Sequence, residues 1–206
     1  MFTKAPHKLL LVSASSLICF LLTALLRDCL ATFDACVNSW ATSINGSFLK
    51  TPAEIVSFAF DTNTLLVLSI FTAAVFFYKR HIVEGGVLLG SMGGNALSVE
   101  LAKMLVHSAR PPNGLMVEAG YSFPSGHASA AIVYLGTLAY FTLLRLNSVK
   151  MKTLLKTLFA ITVAFVGFDR IYLNSHWLSD FIGGYLLGTF WASSSILIMQ
   201  HLKQHG

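Results

Sequence analysis

Leu9-Leu-Leu-Val-Ser-Ala-Ser-Ser-Leu-Ile-Cys-Phe-Leu-Leu-Thr-Ala-Leu-Leu26 runs 18 residues without a charge and, as a helix, would extend ~27 Å at 1.5 Å per residue. That is a bilayer-spanning length, and it exceeds the apolar region of a cleavable signal peptide. Lys4 and Lys8 precede the run, and no A-x-A-like cleavage site follows it, so it reads as a first membrane helix. Four more uncharged stretches follow: Thr62–Tyr78, Ala128–Leu144, Thr157–Phe168 and Phe181–Met199. Thr157–Phe168 is too short to cross alone and must extend to Asp169 and Arg170 or back past Lys156. A sixth span, roughly Ile82–Val106, carries Glu84 and Glu100; its Gly86, Gly90 and Gly94 form a small-residue stripe suited to close helix packing. Gly184 and Gly188 repeat the device in the last span. The expected fold is all-α: one domain, residues 1–206, with six transmembrane helices.

Composition agrees. Of 206 residues, 55% are hydrophobic and only 11% charged, where a soluble domain carries about 25% charge. A globule of this length cannot bury so much apolar surface, which excludes a cytosolic enzyme, a secreted disulfide scaffold and a disordered chain. The net charge of +5 contains no basic run, so nucleic acid is not an expected partner. Cys19, Cys29 and Cys36 are odd in number and lack CxxC spacing, and read as small apolar filler.

The positive charges set the orientation. With a cytoplasmic N-terminus, Lys4, Lys8, Lys79, Arg80, Arg145, Lys150, Lys152, Lys156 and Lys203 lie inside, nine of the fourteen. Arg27, Lys50, Lys103, Arg110 and Arg170 then lie outside, and the last three need a reason to be there. Between the first two long spans, Leu30, Phe33, Val37, Trp40, Ile44 and Phe48 recur at helical spacing beside Asp34, Asn38 and Asn45. This segment reads as a helix lying in the outer interface.

Three outside loops concentrate reactive side chains. In the first, Lys103 and Arg110 are seven residues apart and would share a face of one helix, while Pro111 turns the chain at Arg110. The second reads Tyr121-Ser-Phe-Pro-Ser125-Gly126-His127; Ser125 is a helix N-cap, and the free N–H groups behind it suit an anion. In the third, His176 and Asp180 stand at i and i+4 after Arg170, so a helical turn would pair imidazole with carboxylate. A carboxylate on one ring nitrogen leaves the other free as nucleophile or base. Two histidines, a carboxylate and three cations on one side match the needs of phosphoryl transfer: neutralised oxygens, an in-line nucleophile and an acid for the leaving oxygen. His107, His127, His176 and Asp180 are possible metal ligands in type, yet no H-x-x-x-H pattern accompanies them and three cations would repel a divalent ion. No metal and no cofactor is expected.

Lys103-x6-Arg110-Pro111, Pro124-Ser-Gly-His127 and Arg170-x5-His176-x3-Asp180 resemble the three signature motifs of the type 2 phosphatidic acid phosphatase (PAP2) superfamily. The motifs cover residues 103 to 180, and the six-helix layout extends the likeness to nearly the whole chain. One departure is Asp169, where the family usually has serine; an acid there can pair with Arg170. The resemblance implies that His176 attacks phosphorus to form a phosphohistidine, that Asp180 positions it, and that His127 protonates the departing oxygen. It implies further that Lys103, Arg110 and Arg170, with Ser125 and the Gly126 N–H, hold the phosphoryl oxygens. The implied enzyme is a metal-independent lipid phosphatase of a bacterial cytoplasmic membrane, with both termini cytoplasmic and the site on the outer face. The family's bacterial substrates include undecaprenyl diphosphate (the first choice here), phosphatidylglycerophosphate, phosphatidic acid and lipid A. A lipid phosphotransferase, or a non-catalytic membrane protein that binds lipid phosphates, would use the same residues.

Overall fold

A computed structural model of the protein describes residues 6–205; Lys4 lies outside these, as does the side chain of Phe48. Among the described residues eight helices follow one another: α1 (Pro6–Leu25), α2 (Arg27–Ile44), α3 (Ser47–Ala59), α4 (Thr62–Tyr78), α5 (Ile82–Val106), α6 (Gly126–Arg145), α7 (Val149–Tyr172) and α8 (Leu178–His205). No strand occurs among the described residues. Five of them, α1, α5, α6, α7 and α8, are long and apolar enough to cross a membrane alone. The sixth crossing is α4, 17 residues or ~26 Å long, which α3 meets at a bend of 45°. The short apolar run at 157–168 is resolved by extension in both directions, with Lys150, Lys152 and Lys156 taken into α7.

The outward faces are apolar, as lipid requires: Leu25 is 80% exposed and Leu105 82%. Cys19, Cys29 and Cys36 are unpaired and exposed on the outward faces. Inside, α8 is the hub, packed against α1, α5 and α6. Gly184 and Gly188 make its seam with α6: a Cβ on either would come within 2.5 Å of the Ser125 carbonyl oxygen or 2.6 Å of that of Ser129. In lipid such backbone proximity supplies packing that hydrophobicity cannot. The stripe on α5 differs from expectation. Gly86 and Gly90 are exposed with no neighbour within 4 Å, and only Gly94, under the Trp191 ring, is a close contact. A four-residue period marks a face of the helix; it does not say whether protein or lipid lies against it.

The segment before α4 is two helices, not one, and its amphipathic sense is notable. Phe33, Trp40 and Ile44 are exposed, while the polar side faces protein. Asp34 is buried and accepts from the Ser179 N–H at 2.8 Å and the Ser179 hydroxyl at 2.6 Å, capping α8 from another helix. Asn38 donates to Asn174 at 2.9 Å. This is the arrangement of a helix with lipid on its outer side and the site beneath it.

The cations divide between the two ends of the bundle. At one end Glu84 is held by Lys203 at 2.8 Å and Arg145 at 3.2 Å. Glu84 opens α5 and Lys103 closes it, some 28 Å further on by helix rise. The second end carries Arg27, Lys103, Arg110 and Arg170.

Candidate active site

α5 ends at Val106 because His107 turns left-handed, with φ of 51°. Lys103 therefore sits in the last turn and Arg110 in the loop beyond it, so the two do not share a helix face as the spacing suggested. Pro111 keeps Arg110 out of the helix as expected. Carbonyl oxygens hold the guanidinium: Arg110 donates to Gly120 at 3.2 Å, Ala119 at 3.3 Å and Ser175 at 2.8 Å. The last bond ties the first loop to the third.

Ser125 caps α6, its hydroxyl accepting from the Ala128 N–H at 3.4 Å. Its own N–H donates to the Asp180 carbonyl at 2.9 Å, joining the second loop to the third. Gly126 and His127 follow in the first turn. Gly126 faces the cavity, and Ser125 lies fully buried behind it.

α8 begins at Leu178, so His176 stands just ahead of the helix rather than one turn inside it. Asp180, in the first turn, reaches back to accept from the Trp177 N–H at 2.9 Å, the reciprocal half of a capping box. The same oxygen lies 3.5 Å from His176 Nδ1, beyond hydrogen-bond length, and its other oxygen pairs with Arg27 at 3.1 Å. Arg27 also lies over the Phe123 ring, 5.1 Å from its centroid.

These elements enclose a cavity of about 460 Å³ lined by Lys103, Arg110, Glu118, Gly126, His127 and His176, with Ser57 and Asp61 from the α3–α4 corner. Asp180 and Arg170, fully buried, back it. His176 Nε2 faces Arg110 at 3.3 Å and Glu118 at 3.8 Å. Burial holds His176 below the ordinary imidazole range, Asp180 pulling the other way and Arg110 adding to the depression. At neutral pH the imidazole is therefore uncharged.

Glu118 occupies the centre. It pairs with Arg110 at 2.7 Å and Arg170 at 3.0 Å. Burial alone would raise its pKa, but the positive groups around it (His176 when protonated, Arg170 and Arg110) outweigh burial and leave it lowered, so it is an anion. His127 Nε2 lies 3.3 Å from Arg170 and 3.6 Å from Asp61. Asp169 binds Arg170 through Nε at 3.0 Å and again through Nη2, so the acid that replaces the family serine holds the guanidinium from behind. Lys103 is turned to Glu100 at 3.0 Å, within reach of the cavity but not yet at its centre.

All eight residues singled out from the sequence thus meet at one end of the bundle: Lys103, Arg110, Gly126, His127 and His176 line the cavity, Arg170 and Asp180 back it, and Ser125 braces the loops. Sequence reasoning assigned no role to Arg27, Asp61 and Asp34. Asp61 had a legible signal, an acid immediately before an uncharged run, and it does cap α4 at 2.8 Å from the Asn63 N–H. The partners of the other two are distant in sequence. His107 packs edge-on to Tyr121, 4.6 Å between centroids, and does not line the cavity.

A family model described as the PAP2 superfamily matches residues 84–204, more than half of the chain. Phosphatidylglycerophosphatase B of Bacillus subtilis (strain 168) is 26% identical over 170 residues, covering 82% of this chain and 84% of the relative. Among solved structures, the crystal structure of a transmembrane PAP2 type phosphatidylglycerolphosphate phosphatase from Bacillus subtilis superposes with a TM-score of 0.82 at 24% identity. It covers 94% of this chain and 96% of that one.

Proposed function

Because the chain belongs to the PAP2 superfamily and is a membrane lipid phosphatase of that type, we propose that it cleaves the terminal phosphoryl group of a lipid phosphate through a phosphohistidine on His176. The observation that carries this reading is the carboxylate of Glu118, held by two guanidiniums 3.8 Å from the His176 imidazole. A terminal phosphoryl group has the same charge sign and the same affinity for paired guanidiniums, and binds there once Glu118 gives way. His176 Nε2 then attacks phosphorus while the bond to the leaving oxygen breaks, and protonated His127 gives that oxygen its proton. Arg110 and Arg170, joined by Lys103 and the Gly126 N–H, neutralise the equatorial oxygens. Asp180, 3.5 Å from Nδ1, supports the charge that forms on the imidazole. Water, deprotonated by His127, next breaks the N–P bond and releases inorganic phosphate. The cations do the work a metal would do elsewhere, so no cofactor enters.

Phosphatidylglycerophosphate is the preferred substrate, on the strength of the names carried by the two Bacillus subtilis proteins. Undecaprenyl diphosphate, the choice from sequence, offers a comparable terminal phosphoryl on an apolar tail. The deciding experiment presents purified protein with both, and with phosphatidic acid and lipid A, in detergent containing EDTA. Phosphate release is expected with chelator present and fastest from phosphatidylglycerophosphate. Abolition by EDTA and recovery with metal sinks the mechanism; release from none of the lipids favours a binding protein; label transferred to a lipid hydroxyl makes it a phosphotransferase.

The site is assigned to the outer face of a bacterial cytoplasmic membrane, both termini inside, on the lysine and arginine asymmetry. In a variant with Cys19, Cys29 and Cys36 replaced, Val117→Cys is expected to react with an impermeant thiol reagent on intact cells, and Asn147→Cys only after lysis. The opposite pattern reverses the orientation.

A further inference from the structure

The α3–α4 corner lies outside all three motifs, yet it puts an acidic side chain into the cavity. Asp61 divides its carboxylate between two tasks. Oδ2 accepts from the Asn63 N–H at 2.8 Å and the Thr64 N–H at 3.4 Å, capping α4. Oδ1 lies 3.6 Å from His127 Nε2. The charged and titratable groups facing that ring from elsewhere are Arg170 of α7 at 3.3 Å, and Arg110, Glu118 and His176 of the loops around the same cavity, with Glu100 and Lys103 on its α5 wall. Arg170 stands closest and opposes a positive charge on His127. The general acid must nevertheless be protonated when the leaving oxygen departs, and Glu118, already paired with both arginines, has to move for the phosphoryl group to enter.

Resting on the acid role given to His127 above, we propose that Asp61 is a positioning residue for the reaction: its carboxylate, 3.6 Å from Nε2, offsets Arg170 so that the imidazolium is available at the cavity wall to protonate the leaving oxygen. The proton passes from His127 to that oxygen as the P–O bond breaks and the N–P bond forms, and Asp61 itself neither gains nor loses one. Its contribution is felt only where the leaving group needs a proton.

Asp61→Asn separates this role from the cap, because asparagine caps a helix as well as aspartate does but carries no charge. Turnover is compared on two substrates: phosphatidylglycerophosphate, or whichever lipid phosphate is turned over fastest, whose leaving oxygen is strongly basic, and 4-nitrophenyl phosphate, whose phenolate leaves unaided. The expected result is a fall of about 10- to 100-fold in kcat on the lipid, part of the roughly 10²–10⁴-fold that general acid help supplies. On the aryl ester the fall is less than about 3-fold, while melting in detergent is unchanged. Equal losses on both substrates, or none on either, overturn the proposal. His127→Ala is the reference: if it too loses equally on both substrates, the acid role of His127 fails and the inference fails with it; if it spares the aryl ester while Asp61→Asn does not, only the Asp61 role falls.

Discussion

Replacing His176 with alanine abolishes turnover, lowering phosphate release by roughly 10⁴-fold or more, because a lost nucleophile cannot be made good by cations that only bind. The expectation rests on the ring's setting: Nε2 faces the Arg110 and Glu118 groups, Nδ1 is turned to Asp180, and burial keeps the imidazole neutral and nucleophilic. Rapid quenching of wild-type protein with labelled substrate is expected to trap phosphate that is acid-labile and base-stable, as a phosphoramidate is. The variant traps none. A hydrolytically active His176→Ala protein, or label on another residue, would falsify the assignment.

The second large effect is at Arg170. Fully buried, its guanidinium meets Glu118 and His127 on its cavity side and Asp169 on the other. Lysine keeps the charge that Asp169 requires, so Arg170→Lys retains the fold, but a single ammonium cannot serve both sides. The expected loss in kcat/KM is about 10²–10³-fold, equivalent to roughly 2.7–4 kcal/mol of transition-state stabilisation. Steady-state kinetics with thermal melting as the control measures it; activity within a few-fold of wild type would sink the idea of a planar fork on the phosphoryl oxygens. Arg170→Ala is a poorer probe, since an unpaired buried Asp169 costs about 3–5 kcal/mol by itself.

Much of this was legible in the chain because membrane helices and loop motifs are local signals. A run such as Leu9–Leu26 has one physical explanation, and the positions of Lys103, Arg110, His127, Arg170 and His176 follow from short spacings beside such runs. Where competing surroundings could satisfy the same pattern, reading from sequence stopped. The stripe Gly86–Gly90–Gly94 obeys helical spacing, yet two of its members meet no neighbouring helix. The apolar stripe of α2 marks an interfacial helix, but that its polar side meets protein depends on Asp34 finding Ser179, 145 residues away. Arg27 was readable as a cation at the end of a span; its contact with Asp180 exists only once α8 has docked on α1. The place of Glu118 at the centre needs both arginines and His176 to have arrived.

The grip of Asp34 on Ser179 ties the start of α8, beside the proposed nucleophile, to a helix that turns Phe33 and Trp40 outward, where lipid would meet them. Lateral pressure among the surrounding acyl chains therefore bears on α2 and, through it, on the peptide bonds next to Asp180. The catalyst and the lipid sheet it feeds on form one mechanical system, and a micelle supplies only part of it.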